Sequence, residues 1–128
     1  MKRDVFYPSG CPKPTGPFSP CVRKGPFVYA AGQVGAVPET GELISDDVVE
    51  QTAQALKNLQ AALAAAGAGL GDVVKVNVFL TDMNDFARMN AEYGKVFTHD
   101  PPARTCVAVK AVPVGGKVEI EVVAILDE

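Results

Sequence analysis

The sequence predicts an α+β domain in the order βββαβαββ, with two helices covering one face of a single mixed sheet. Two stretches, 47–66 and 85–97, carry apolar residues at three- and four-residue spacing, and short β-branched or alternating runs stand around them. With 128 residues and no Gly/Ser-rich or strongly charged internal stretch, residues 1–128 read as one domain.

Pro8, Pro12, Pro14, Pro17 and Pro20 remove amide donors and fix φ, so before residue 20 only Arg3 to Phe6 reads as a strand. The segment after it is either an ordered loop or a disordered one. Cys21–Lys24 and Phe27–Ala31, split by Gly25-Pro26, read as a hairpin that Gly32-Gln33 ends. From Asp47 to Ala66, Val48, Thr52, Ala55, Leu56, Leu59, Ala62, Leu63 and Ala66 share one stripe; Asp47, with Glu50 three residues on, caps the start and Gly67 supplies the stop.

Val73–Leu80 is the next strand, with Val74, Val76, Val78 and Leu80 on one side and Val73, Lys75, Asn77 and Phe79 on the other. Asp85–Phe97 follows as the second helix, its stripe formed by Phe86, Met89, Asn90, Tyr93 and Phe97. Arg104–Val109 and Val118–Leu126 complete the set, joined through Pro113-Val114-Gly115-Gly116. On the last strand Val118, Ile120, Val122, Ala124 and Leu126 face one way, and Val123 and Ile125 face the other beside Glu119 and Glu121. No helix remains to bury that second apolar face, which predicts that another subunit covers it in a closed homo-oligomer.

Composition narrows the function. A net charge of −3 with scattered Lys and Arg leaves no basic stripe for nucleic acid. No apolar run approaches the roughly 20 residues of a spanning helix, and no secretory core follows Met1, so no membrane partner is expected and the cytoplasm is the default compartment. Three cysteines without C-x-x-C spacing argue against a disulfide framework and a zinc site. Gly32, Gly35 and Gly41 make no phosphate-loop spacing.

Chemistry concentrates at Pro102-Ala103-Arg104-Thr105-Cys106-Val107 and Val118-Glu119-Ile120-Glu121. These place an arginine and a carboxylate on two adjacent strands, where a pocket for a small carboxylic acid can form. Arg104 can grip a carboxylate through two parallel hydrogen bonds, or stand as a solvated edge residue. Glu119 and Glu121 alternate as any solvent face does, yet their apolar company on that face gives a carboxyl group that can hold or deprotonate a water. Cys106 shares the face of Arg104 and Ala108. It reads as a small buried residue or pocket wall, since the lone histidine, His99, lies in a loop and supports no nucleophilic triad.

Over essentially its whole length the chain resembles the Rid family of reactive intermediate deaminases, also called the YjgF family. The resemblance is carried by Gly16-Pro17-Phe18-Ser19-Pro20, Ala31-Gly32-Gln33, Thr40-Gly41, Gln51, Ala55-Leu56-Lys57-Asn58-Leu59, Val74 through Phe79, Asp82, Asp85-Phe86, Asn90, Tyr93, Pro102-Ala103-Arg104 and Val118-Glu119-Ile120-Glu121, in that order. It implies a chorismate-mutase-like fold assembled as a homotrimer, with sheets around a central barrel and three pockets between neighbouring subunits. It also implies hydrolysis of small 2-enamino or 2-imino acids to 2-keto acids and ammonia, with no metal or cofactor. Arg104 would hold the substrate carboxylate and Glu119 the attacking water. Backbone groups at Cys106 would contact the imine nitrogen, and Phe18, Ala31, Gly32 and Asn90 would complete the binding site.

Two residues depart from the archetype, Phe18 in place of tyrosine and Ala31 in place of serine. Each removes a hydroxyl worth on the order of 1 kcal/mol, which weakens the grip on the substrate or favours a more apolar one. The short connection from Phe97 to Arg104 reshapes the pocket mouth. The competing expectation is a non-catalytic sensor for short 2-keto or other carboxylic acids that uses the same arginine. A ribonuclease lacks the basic stripe and the histidine pair it needs, and a chorismate mutase would have two carboxylates to bind.

Overall fold

The computed structural model describes residues 2–127. It has β1 (Asp4–Phe6), β2 (Cys21–Lys24), β3 (Phe27–Val34), α1 (Val48–Ala65), β4 (Val73–Leu80), α2 (Phe86–Tyr93), β5 (Ala103–Ala108) and β6 (Val118–Ile125), the expected βββαβαββ order. They form one six-stranded sheet in the order β1-β2-β3-β6-β4-β5. All neighbours are antiparallel except β4 and β5, whose parallel pairing requires the crossover that α2 provides.

Helix α1 forms where the stripe and caps agree. The Asp47 carboxylate accepts from the Glu50 amide at 3.2 Å and receives Arg88 of α2 in an ion pair at 2.6 Å, tying the helices together. At the other end Gly67 takes φ +83, so the amides of Gly67 and Ala68 return to the carbonyls of Ala64 and Leu63. Arg23 of β2 donates to the Ala66 carbonyl at 3.0 Å. Leu56, Leu59 and Leu63 are fully buried against Val76, Val78, Ile120 and Val122 of the sheet.

Three polar residues of α1 are also fully buried, Thr52 among them with its hydroxyl donating to the Val48 carbonyl at 2.7 Å. Gln51 donates to the Ser45 carbonyl at 2.8 Å and accepts from the Lys117 amide at 2.8 Å. Asn58 donates to the carbonyls of Ala36 and Val34 at 2.8 and 3.3 Å. These bonds strap the chain leaving β3 onto α1, so close that a Cβ on Gly35 would lie 2.4 Å from the Gln51 Cα.

Four expectations are corrected. Gly32-Gln33 does not end β3. The strand continues to Val34 through a register shift between Ala30 and Gln33, where glycine permits a bulge instead of a stop. A second shift between Val73 and Lys75 turns Val73 into the core and leaves Val74 exposed, so Val74 does not share the face of Val76. Helix α2 stops at Tyr93, not Phe97, because Gly94 opens a turn; the amide of Phe97 still bonds the Tyr93 carbonyl, and the two rings stack at 4.7 Å. Finally, β5 and β6 are not adjacent, because β4 lies between them.

The proline-rich segment before β2 is an ordered loop with Cys11 buried in the core. Burial pushes the Cys21 thiol up to about 11. Helix α1 packs on β3 and β6, α2 packs on α1 and sets Tyr93 beside Arg104 of β5, and Phe27, Tyr29, Val107 and Ile125 stay exposed on the opposite face. Tyr29, 53% exposed, pairs with Val123 in a row no helix covers.

Candidate functional site

Register decides where each candidate side chain goes. Arg104 pairs with Val76 and Cys106 with Val78, and those valines pair with Val122 and Ile120 of the core. Arg104 and Cys106 therefore lie on the helix side of the sheet, at its β5 edge. Glu119 pairs with Phe79 and with Val34, which lie on the uncovered side. Within one chain the arginine and the carboxylate face opposite ways and are separated by an intervening strand, roughly 10 Å of sheet at the usual spacing.

Around Arg104 the walls are aromatic. Its guanidinium carbon sits 4.7 Å from the Tyr93 ring centroid and 5.7 Å from that of Phe86. Among the described residues no carboxylate forms an ion pair with Arg104. Among the described residues the Asn90 Oδ1 and the Tyr93 hydroxyl are buried with no hydrogen-bond partner. Burial pushes the Cys106 thiol up, against the pull of the Arg104 charge, which keeps it protonated and weakly nucleophilic at neutral pH. The same two influences act on the Tyr93 hydroxyl, with burial dominant.

Around Glu119 the geometry depends on a missing side chain. A Cβ on Gly32 would stand 2.7 Å from the Glu119 Oε2, so the bulge glycine lets the carboxyl group lie against the β3 backbone. Desolvation first, and the neighbouring charge of Glu121 second, raise the Glu119 carboxyl above its ordinary value. Asn77 donates to Glu121 at 3.1 Å. Glu119 borders a cavity of about 320 Å³ whose wall includes Phe18, Ala31 and Gly32.

The candidates thus fall into two groups: Arg104, Cys106 and Asn90 beside α2, and Glu119, Phe18, Ala31 and Gly32 around the cavity. Sequence reading missed Phe86 and Tyr93 as partners of Arg104, because their helical spacing reads as core packing and only Tyr93 is buried. It also missed the cavity wall at Val114, whose position depends on φ 54 for a β-branched residue, which no local pattern announces. Among the described residues no cluster of three His, Cys, Asp or Glu side chains could hold a metal ion. No helix described is long and apolar enough to cross a membrane.

A family model described as endoribonuclease L-PSP matches residues 9–126. The chain belongs to that family. It is 44% identical over 124 residues to a RutC family protein of Pyrococcus abyssi, covering 97% of this chain and 98% of the relative. Over 123 residues it is 43% identical to a Mus musculus protein named 2-iminobutanoate/2-iminopropanoate deaminase, covering 96% and 91%. The crystal structure of RidA from the Antarctic bacterium Psychrobacter matches with a TM-score of 0.92 at 40% identity, covering 96% of this chain and 99% of that one. E. coli TdcF with bound serine matches with a TM-score of 0.92 at 36% identity, covering 97% and 99%. The resemblance to Rid proteins and the chorismate-mutase-like fold are thereby established for this L-PSP family member.

Proposed function

We propose that this L-PSP family protein hydrolyses 2-imino and 2-enamino acids to 2-keto acids and ammonia at a site shared by two protomers. The observation that supports it is the division of the candidates: an unpaired guanidinium on one face of the sheet and a desolvated carboxyl group on the other. One small ligand cannot reach both within a chain. A homotrimer that seals the uncovered apolar face would bring Arg104 of one copy to Glu119 of the next. The mouse relative named as an imino acid deaminase gives the reaction class.

In this reading Arg104 holds the substrate carboxylate through a bidentate pair, with Asn90 and the backbone at Cys106 available to the imine nitrogen. The iminium carbon is already electrophilic, so positioning and a base suffice. Glu119 takes a proton as water adds to that carbon. The carboxyl group then returns that proton to the nitrogen. As the C–N bond breaks and the carbonyl forms, the carboxylate takes up the proton of the new hydroxyl, leaving a 2-keto acid and ammonia, which that proton converts to ammonium. A carboxyl group whose pKa is raised by desolvation suits both transfers better than a fully solvated one.

The test generates 2-iminopropanoate in situ with an amino-acid oxidase and follows its loss. Wild type is expected to clear it far faster than Arg104→Ala or Glu119→Gln; equal slow clearance by all three refutes the enzyme reading. Sedimentation returning only the 13.4 kDa protomer would refute the shared site. One observation favours a second reading, a sensor for short acids, namely the serine bound in TdcF. Calorimetry with serine and 2-oxobutanoate that shows tight binding without turnover would select it. The ribonuclease activity in the family's description gains no support from a net charge of −3 and a single histidine.

A further inference from the structure

We infer that Glu121, held in place by Asn77, is a positioning residue for Glu119: a fixed negative charge on the same face of β6 that keeps the Glu119 carboxyl group basic enough to take a proton from water. The inference deepens the deaminase reading and rests on it for the reaction, while the pairing of the two carboxyl groups stands without it.

Register puts the two together. Glu119 and Glu121 lie opposite Phe79 and Asn77 of β4, on the face that no helix covers. Two residues along a strand set their Cα atoms roughly 7 Å apart, close enough for one charge to act on the other. That spacing lies within one chain, so it holds whatever surface a neighbouring copy lays against it.

Hydrogen bonding divides their roles. Among the described residues Asn77 donates to Glu121 Oε2 at 3.1 Å, and no group donates to Glu119. A neutral donor fixes a carboxylate and favours its charged form without cancelling the charge. Glu121 therefore carries the standing charge and Glu119 exchanges the protons, as in other pairs of carboxyl groups whose surroundings set them to different tasks.

Cations are kept away. Lys75 of β4, Tyr29 of β3 and Lys13 at the cavity also face this region. Among the described residues neither lysine forms an ion pair with Glu119 or Glu121. Lys75 donates the other way, to the Thr105 hydroxyl of β5 at 2.9 Å. Desolvation first and the Glu121 charge second then hold the Glu119 carboxyl above its ordinary value.

The experiment follows the Glu119 carboxyl by carbon-13 NMR titration of glutamate-labelled protein, assigned by its loss in Glu119→Gln. Beside it runs the pH profile of kcat/KM with 2-iminopropanoate generated in situ. Glu121→Gln keeps the shape and an oxygen for Asn77, so folding and sedimentation are expected to hold. Glu119 then titrates at lower pH, the acid limb of the profile moves down with it, and kcat/KM on the plateau falls roughly three- to tenfold as the base weakens. Asn77→Lys sets an ammonium group opposite Glu121 and carries the same test, with the same expected direction, should Glu121→Gln fail to fold. A Glu119 titration unmoved by Glu121→Gln, the result for a residue that serves packing alone, overturns the inference even where the imine is cleared. So does a titration that moves while the profile of an active enzyme stays fixed. Lys75→Met raising the titration as far as Glu121→Gln lowers it overturns it as well, because a cation would then already cancel the charge. If the titration moves and wild type clears no imine, the pairing stands and the deaminase reading fails.

Discussion

Replacing Tyr93 by leucine tests how the site holds its cation. The Tyr93 ring is 6% exposed and lies 4.7 Å from the Arg104 guanidinium, with Phe97 stacked on the tyrosine. A cation held over a desolvated ring gains about 1–2 kcal/mol. The Phe86 ring, at 5.7 Å and 37% exposed, adds less. Loss of the Tyr93 stack is therefore expected to weaken 2-oxobutanoate binding by roughly 5- to 30-fold. The assay is calorimetry on wild type, Tyr93→Leu, Tyr93→Phe, Arg104→Ala and the Tyr93→Leu/Arg104→Ala pair, with circular dichroism to verify folding. Because the Tyr93 hydroxyl has no partner among the described residues, Tyr93→Phe keeps the ring and is expected to bind as wild type does. The double-mutant cycle isolates the coupling. Tyr93 as a positioning residue is refuted if Tyr93→Leu weakens binding equally with and without Arg104, or if Tyr93→Phe is as harmful as Tyr93→Leu.

Glu119→Gln is expected to lower kcat at least about a hundredfold in the imine assay. Desolvation and Glu121 raise the folded pKa of Glu119, so the stabilisation it carries is complete below its ordinary value and is lost as pH rises through the raised one. Urea titrations should accordingly show Glu119→Gln gaining stability relative to wild type as pH rises through and above the ordinary carboxylate range. Gly32→Ala puts a methyl group 2.7 Å from the Glu119 Oε2, and because the carboxyl arm can swing away, activity is expected to drop about tenfold with little change in Tm. Gly35→Ala meets the Gln51 Cα at 2.4 Å, where backbone cannot yield; a loss of about 2–3 kcal/mol and a fall in Tm of roughly 10 °C are expected by calorimetry.

What the sequence by itself determined is what short-range physics encodes. Period 3.6 over 47–66 and period 2 over 118–126 need only neighbouring residues, and they placed α1, its caps and the two faces of β6 correctly. The partition of Arg104 with Cys106, and of Glu119 with Val123 and Ile125, followed from the same alternation. Polar residues defeat that logic: Gln51 and Asn58 are buried because distant carbonyls and an amide satisfy them, and no pattern on α1 reveals those partners. Only the tertiary structure decided the strand order. It inserted β6 between β3 and β4, set β4 between the strands of Arg104 and Glu119, and closed the loops at 12–18 and 113–114 around a cavity. Strand pairing is a long-range choice made by the whole core, whereas alternation is local; the faces of β5 and β6 were therefore legible in the sequence, whereas the bulge that reverses Val73 and Val74, and the neighbours of every strand, were not.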